Sequence, residues 1–229
     1  MLKNVCVFAS GSALGGGSGF RHLMLASRKG ILRANIACVV SNHKEGGVWK
    51  LANEFNIPFI HFAPPFSAER YQQIARETKA DFFPLSGWVK LVTGLDLATR
   101  FNPKTVFNIH PGPLPQFGGP GLYGAHVHST VLEAYRRREI THSQVCMHFV
   151  SHTPEERKEE YDRGPVFFRH FVKIHDSDTV ESLQRRVNIA EHQWQSFVTD
   201  QVVNGLVGWD GVNPGSLQYE PECGITPVM

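Results

Sequence analysis

The stretch V-C-V-F-A-S-G-S-A-L-G-G-G-S-G-F, residues 5–20, indicates the fold class of this chain. Residues 5–9 form an apolar run of the length and composition of a buried strand. The glycine-rich stretch that follows predicts a turn, because glycine adopts backbone conformations that other residues avoid. Residues 20–28 then place apolar side chains at helical spacing. Strand, glycine-rich turn and helix together predict a βα unit.

The same alternation of strand and helix recurs along the first hundred residues. The predicted strand and helix pairs are 36–41 with 48–55, 58–62 with 68–78, and 81–85 with 91–99. Such alternation is typical of a mostly parallel sheet with helices on both faces. We therefore predict a doubly wound α/β fold in a single domain, and 229 residues are enough to bury its core.

The pattern changes in the second half of the chain. The elements predicted there are strands at 106–109, 143–150 and 166–174 and helices at 127–137 and 179–203. Ser177 or Asp178 is the expected N-cap of the last helix. The polar and charged segment 151–164 is predicted to be a surface loop. We assign residues 1–210 to the domain and the Gly- and Pro-rich residues 211–229 to an extended C-terminal tail.

Composition and charge argue against several classes of protein. A hydrophobic fraction of 41% and a charged fraction of 19% are ordinary for a globular protein. The net charge of +2, without a basic stripe, argues against a nucleic-acid binder. No apolar stretch approaches a membrane span, and the N-terminus leads directly into a strand, so we expect a cytoplasmic protein. Cys6, Cys38, Cys146 and Cys223 are far apart and are expected to be reduced thiols.

The tetrapeptide N-I-H-P at 108–111 follows an apolar run and therefore lies where a buried strand ends. In open α/β sheets, ligands bind at the carboxyl ends of the strands. Because side chains alternate along a strand, Asn108 and His110 share one side and Ile109 takes the other. An amide donor and a titratable imidazole thus face one place. The alternative is that Asn108 turns the chain and His110 fills a polar niche in the core.

A second polar motif, D-R-G-P at 162–165, leads from the charged loop into a predicted strand. A carboxylate at Asp162 can point back towards the same edge of the sheet. If it approached His110, it would favour the imidazolium and raise the histidine pKa. An ordinary turn of the Asp-Arg-Gly type is the alternative interpretation.

Longer strings carry a resemblance to a known family. They are NIHPGPLPQF (108–117), AHVHSTVLEA (125–134), CMHFV (146–150) with DRGPV (162–166), and NIAEHQW (188–194). In this order they resemble the glycinamide ribonucleotide formyltransferase family of purine synthesis. The resemblance implies a Rossmann-like formyltransferase fold and formyl transfer from 10-formyltetrahydrofolate to the amine of glycinamide ribonucleotide. It also implies that Asn108, His110 and Asp162 are catalytic and that no metal is required.

The resemblance further implies where the two substrates bind. The glycine-rich turn looks like the family's phosphate site, with Ser18 and Gly19 as the matching residues, and Gly19 stands where the family has Asn. The string SGWVKLV at 86–92 resembles the segment whose backbone meets the amine substrate and the folate. The residues carried over for the amine substrate are Ser18, Gly19, Gly87, His128 and Glu191, and those for the folate are Lys90, Leu91, Val92 and Asp162. His126 is a weaker match, and the spacing between it and His128 suits an extended chain better than one face of a helix.

Two departures from the family and several alternatives remain. The loop 151–161 is longer than the family's, and Gly112 and Pro113 replace its Ser and Leu. The alternatives are a formyltransferase for another amine, such as a sugar amine, and a non-catalytic nucleotide-binding module. A metal hydrolase that uses His110, His126, His128 and His148 is a further alternative. We expect small-molecule partners and a monomer or homodimer, without nucleic acid or membrane.

Overall fold

The computed structural model describes residues 1–151 and 161–228, and a seven-stranded sheet runs through these residues. Its strands are β1 (Lys3–Phe8), β2 (Ala34–Ser41), β3 (Phe59–His61), β4 (Phe83–Leu85), β5 (Val106–His110), β6 (His142–Phe149) and β7 (Val166–Lys173). They lie in the order β3-β2-β1-β4-β5-β6-β7. Pairs from β3 to β5 are parallel, whereas β6 pairs antiparallel with both β5 and β7. The predicted mostly parallel sheet is confirmed.

Helices cover both faces of this sheet. They are α1 (Ser18–Arg28), α2 (Gly47–Phe55), α3 (Ala68–Thr78), α4 (Ala125–Arg136) and α5 (Val180–Val203). The sheet divides the core into two clusters of buried apolar side chains. One contains Leu23 of α1 and Val187 of α5, and the other contains Tyr71 and Ile74 of α3. The fold is therefore doubly wound, and strand order places the carboxyl ends of β1, β4 and β5 side by side.

The helix predicted at 91–99 is wrong, because this segment runs without regular secondary structure. Val92 and Leu95 of this segment are buried, but two of its carbonyl groups accept hydrogen bonds from side chains of α3. The Leu91 carbonyl accepts from the Tyr71 hydroxyl at 3.0 Å, and the Gly94 carbonyl accepts from Gln72 Nε2. Gly94 also has a φ of 74° and packs against Ala68, which a helix would not allow. Tertiary packing overrides the apolar pattern here.

The predicted N-cap of α5 at Ser177 or Asp178 is also wrong, since Thr179 caps this helix. The Thr179 hydroxyl accepts from the Ser182 amide at 3.2 Å, and Ser182 Oγ accepts from the Thr179 amide at 3.0 Å. This reciprocal arrangement is a capping box with Ser at its fourth position. Asp178 instead forms an ion pair with Arg186 at 2.6 Å, which lowers the pKa of its carboxyl.

The chain beyond α5 folds back onto the domain. Strands β8 (Val207–Gly208) and β9 (Gln218–Tyr219) pair antiparallel, and Cys223 is buried in the larger core cluster. The boundary at residue 210 stays a prediction. Among the described residues, no helix is both long and apolar enough to span a membrane. All four cysteines are buried free thiols.

Candidate active site

Asn108 and His110 lie at the carboxyl end of β5, and both contact Asp162. Asn108 Nδ2 donates to Asp162 Oδ1 at 3.1 Å, and His110 Nδ1 lies 3.5 Å from the same oxygen. The prediction that strand alternation places Asn108 and His110 on one side is confirmed. Asp162 approaches them from the segment before β7, so the three residues converge on one carboxylate oxygen.

The carboxylate of Asp162 is held from several directions. Its Oδ2 accepts from the Gly119 amide at 3.1 Å, and its Cβ packs beside Gly118, where another side chain would intrude. Burial by itself raises the pKa of Asp162, but its interactions with His110 and His148 outweigh this effect. The net result holds the pKa of this carboxyl well below its usual range. Asp162 is therefore an anion at neutral pH.

His148, which the sequence analysis grouped with His110 only as a possible metal ligand, is a further member of this cluster. Strands β5 and β6 are antiparallel, and their register places His148 directly opposite Asn108. Its Nε2 lies 3.2 Å from Asn108 Nδ2 and 3.6 Å from Asp162 Oδ1. Its Nδ1 faces the Phe149 carbonyl at 2.9 Å, which accepts a hydrogen bond from it. The H-F-V string contained the residue, but only the pairing register reveals its neighbours.

His110 has an oxygen acceptor at each ring nitrogen. Its Nε2 lies 2.8 Å from the Phe117 carbonyl, and its Nδ1 faces Asp162. An imidazolium, which donates from both nitrogens, satisfies both acceptors at once. Gly112 makes room for this ring, because a Cβ there would lie 2.7 Å from Val127 Cγ2 and 3.1 Å from His110 Nε2. The replacement of the family's Ser by Gly112 thus suits the packing around the histidine.

Three neighbouring cavities, each sharing lining residues with the next, extend from this cluster to the glycine-rich turn. The first, the apolar cavity, has a volume of about 400 Å³ and walls of Leu85, Trp88, Leu91, Val92 and Val150. The second, the central cavity, has a volume of about 830 Å³ and is lined by Gly87, Asn108, His110, His128, Asp162 and Glu191. The third, the glycine-loop cavity, has a volume of about 1010 Å³ and is lined by Gly11, Gly16, Ser18, Gly19, Gly87 and Glu191. Asn108 and Asp162 line the first two, and Gly87 and Glu191 line the last two.

The residues predicted to bind substrates fall into these cavities as two groups. Those predicted for the amine substrate line the central cavity or the glycine-loop cavity, namely Ser18, Gly19, Gly87, His128 and Glu191. Those predicted for the folate line the apolar cavity, namely Lys90, Leu91, Val92 and Asp162. In the long loop predicted at 151–161, residues 152–160 lie outside the described residues.

Besides Asp162, two titratable residues of the central cavity have shifted pKa values. Burial raises the pKa of Glu191 to about 7, against smaller opposing effects of Asn188 and His110. Burial, with repulsion from His110, lowers the pKa of His128 to about 4. His128 and His126 both lie on α4, so the expectation of an extended chain is wrong; Val127 and His128 are buried and His126 is exposed. The helix turns the two histidines away from each other.

Metal binding was the basis of one alternative. Among residues 1–151 and 161–228, no group of three or more His, Cys, Asp or Glu side chains is arranged to hold a metal ion. The buried histidines His110 and His148 instead meet the single carboxylate of Asp162.

A family sequence pattern and known proteins that resemble this chain agree with one another. The sequence pattern of the formyl transferase family matches residues 3–199. A chloroplastic phosphoribosylglycinamide formyltransferase of Arabidopsis thaliana is 33% identical over 219 residues, which are 92% of this chain and 69% of that protein. The chloroplastic enzyme of the same name from Vigna unguiculata is 34% identical, over 92% of this chain and 64% of its own length.

Solved structures share the fold. Glycinamide ribonucleotide transformylase 1 of Symbiobacterium toebii superposes with a TM-score of 0.77 at 22% identity, over 96% of this chain and 94% of its own. At this identity the likeness concerns the fold alone. The matched pattern covers most of the chain, from β1 to nearly the end of α5. The chain therefore belongs to the formyl transferase family.

Proposed function

We propose that this protein transfers the formyl group of 10-formyltetrahydrofolate to the amine of glycinamide ribonucleotide. The observation that carries the proposal is the position of Asn108 and Asp162, which line both the apolar cavity and the central cavity. A group that moves between two substrates must react where their sites meet. The names of the two plant relatives support the same reaction.

The apolar cavity suits the folate. Its walls include Trp88, Leu91 and Val92, which offer a flat apolar surface to a planar ring system, as is usual in ligand sites. Lys90 lies at this cavity, with its ammonium 5.4 Å from the centre of the Phe66 ring. The folate supplies the formyl group when bound, and its reactive end would lie beside Asn108 and Asp162.

The central and glycine-loop cavities suit the amine substrate. Helix α1 begins at Ser18, directly after the glycine-rich turn, and a helix N-terminus favours an anionic phosphate. Glu191 lies between the two cavities, where an ionised carboxylate can accept hydrogen bonds from ribose hydroxyls. This arrangement directs the amine towards the cluster around Asp162.

The residues of the cluster divide the chemistry between them. Attack of the amine forms a new C–N bond, places negative charge on the formyl oxygen, and ends with cleavage of the old C–N bond. Asn108 donates to that oxyanion, and the charge of His110 stabilises it. In the structure both N–H groups of Asn108 face partners, His148 and Asp162, so the oxyanion must replace one of them. The anionic Asp162 stabilises the cationic amine and helps to relay its proton, through water, to the departing nitrogen.

The direct test is a steady-state assay with purified protein, 10-formyltetrahydrofolate and glycinamide ribonucleotide. We expect tetrahydrofolate and formylated glycinamide ribonucleotide to form in equal amounts. An amino-sugar nucleotide serves as the competing acceptor. Formylation of the amino sugar, with no turnover of glycinamide ribonucleotide, would show that the proposed amine is wrong.

Cytoplasmic location and a monomeric or homodimeric state are proposed on the sequence expectations alone. The names of both plant relatives place those proteins in the chloroplast, so a fluorescent fusion should be imaged against an organelle marker. Light scattering of the purified protein measures its molar mass, and a mass above that of a dimer would contradict the proposed state.

A further inference from the structure

The space beside Gly19 is filled by two polar side chains from distant parts of the chain. A Cβ at position 19 would clash with Ser86 Oγ and would lie 2.9 Å from Gln195 Oε1. Ser86 follows β4, and Gln195 lies on α5. The position where the family resemblance expects an Asn side chain is therefore occupied by Ser86 and Gln195. Ser86 and Gln195 can occupy this space only because residue 19 has no side chain.

Gln195 is buried but has an unused donor. Only 2% of its surface and 6% of that of Ser86 are exposed, and both line the glycine-loop cavity. Ser86 Oγ donates to Gln195 Oε1 at 3.3 Å. Nε2 of Gln195 has no hydrogen-bond partner among the described residues. Because this nitrogen is not sealed off in the protein interior, a ligand or water in the cavity can accept its hydrogen bond.

The Gln195 donor matters for binding an anion because of the charges of the side chains that line the glycine-loop cavity. Within the described part of the chain, neither Lys nor Arg lines the cavity. Its one histidine, His192, lies 3.0 Å from Ser18 Oγ, and burial, with repulsion from His22, lowers its pKa to about 4. His192 is therefore neutral at physiological pH. An anion in this cavity has to be held by neutral donors, which are backbone amides, hydroxyls and the Gln195 amide.

We propose that Gln195 donates a hydrogen bond to a phosphate oxygen of the amine substrate, in the space left open by Gly19. Ser86 is a positioning residue, because its hydroxyl occupies Oε1 and so leaves Nε2 for the ligand. Gln195 thereby takes part in selecting a phosphorylated amine. This inference rests on the proposed function and adds to it a residue that determines specificity.

The test compares Gln195→Leu with wild type and with Gln193→Leu, the same substitution at an exposed position of α5. We expect Gln195→Leu to raise KM for glycinamide ribonucleotide about tenfold or more, since a hydrogen bond to a charged group is lost. The kcat and the KM for 10-formyltetrahydrofolate should stay within about twofold of wild type. Gln195→Glu should raise the same KM further, because a carboxylate repels phosphate. Thermal melts check that each variant folds.

Two further measurements identify the phosphate and the role of Ser86. Calorimetric titration with glycinamide riboside, which lacks the phosphate, should give the same affinity for wild type and Gln195→Leu. Ser86→Ala should raise KM for the ribonucleotide by a few-fold in wild type and have no further effect in the Gln195→Leu background. An additive effect would mean that Ser86 acts independently of Gln195.

The possible failures are distinguishable. If wild type formylates glycinamide ribonucleotide but Gln195→Leu and Gln195→Glu keep its KM, the inference about Gln195 is wrong and the proposed function stands. Equal weakening of riboside and ribonucleotide binding would refute the phosphate contact. If wild type neither binds nor formylates glycinamide ribonucleotide, both proposals fail.

Discussion

The cluster around Asp162 and the glycine-rich turn after β1 differ in how their polar groups are satisfied. In the cluster, Asn108, His110 and His148 all reach one carboxylate, and the backbone of Gly119 donates to its second oxygen. The glycine-loop cavity offers mainly backbone groups, neutral side chains and the unpaired Nε2 of Gln195. Polar groups that are hydrogen-bonded to one another before substrate arrives are held in fixed positions, which suits catalysis. Donors without a protein partner can bind a ligand, which suits recognition. We therefore expect kcat effects from the first region and KM effects from the second.

The largest effect is expected at Asp162. Asp162→Asn keeps the side-chain shape, and Asn tolerates the φ of 56° found there, but the charge is lost. We expect kcat to fall about 10³-fold, because the anion that stabilises the cationic amine and helps to relay its proton is lost. Asp176→Asn, at an exposed position, is the matched control. A kcat within tenfold of wild type would remove Asp162 from the chemistry.

The same substitution makes a prediction about stability. Because the pKa of Asp162 is lowered by folding, its stabilisation is present at neutral pH and is lost as the pH falls below about 4, the usual Asp pKa. Urea unfolding of wild type should show this loss, and Asp162→Asn should show less of it. Equal pH profiles would mean that the carboxylate contributes no such linkage.

The next effect is expected at Asn108. Asn108→Ala removes one donor to the oxyanion, so kcat should fall about 10²- to 10³-fold while KM for glycinamide ribonucleotide changes little. Asn53→Ala, on the exposed side of α2, is the control variant. An unchanged kcat would contradict the mechanism, and a change confined to KM would place Asn108 with the recognition groups instead.

In the glycine-rich turn we expect a smaller effect, on KM. Gly19→Ala places a Cβ against Ser86 and Gln195, so KM for glycinamide ribonucleotide should rise about tenfold and stability should fall by about 1–3 kcal/mol. Gly15→Ala is the matched control, since a Cβ there meets nothing within 4 Å. Adding Ser86→Gly to Gly19→Ala should recover part of the lost stability. If Gly15→Ala and Gly19→Ala behave alike, the packing argument fails.

The smallest effect, a change in KM for glycinamide ribonucleotide, is expected at Glu191, which lies between the two regions. Its pKa of about 7 means that it ionises near neutral pH, and the ionised form is the better acceptor for ribose hydroxyls. KM for glycinamide ribonucleotide should therefore fall a few-fold as the pH rises from 6 to 8, and Glu191→Gln should remove this dependence. The raised pKa also means that Glu191 stabilises the fold at low pH and that this contribution is lost as the pH rises through 7. A pH profile of KM that Glu191→Gln leaves unchanged would assign the titration to another group.

Sequence patterns predicted the fold where the evidence is local. Apolar runs of strand length and helical spacing identified β1, β2, α1 and α3, because period and burial are written into consecutive residues. The segment 91–99 shows the limit of this reasoning. Its apolar residues look helical, but Gly94 against Ala68 and the bonds to Tyr71 and Gln72 were decided by α3. The cap at Thr179 was missed because Ser182, rather than Glu or Gln, completes the capping box.

The sequence by itself determined the α/β class, the family resemblance and the polar residues Asn108, His110 and Asp162. Only the tertiary structure brought His148 opposite Asn108, through the antiparallel register of β5 and β6. It alone placed Ser86 and Gln195, which are 109 residues apart, in the space beside Gly19. The physical reason is that short-range periodicity records which residues are buried. Which buried polar groups meet depends on strand register and helix packing, which no local pattern contains.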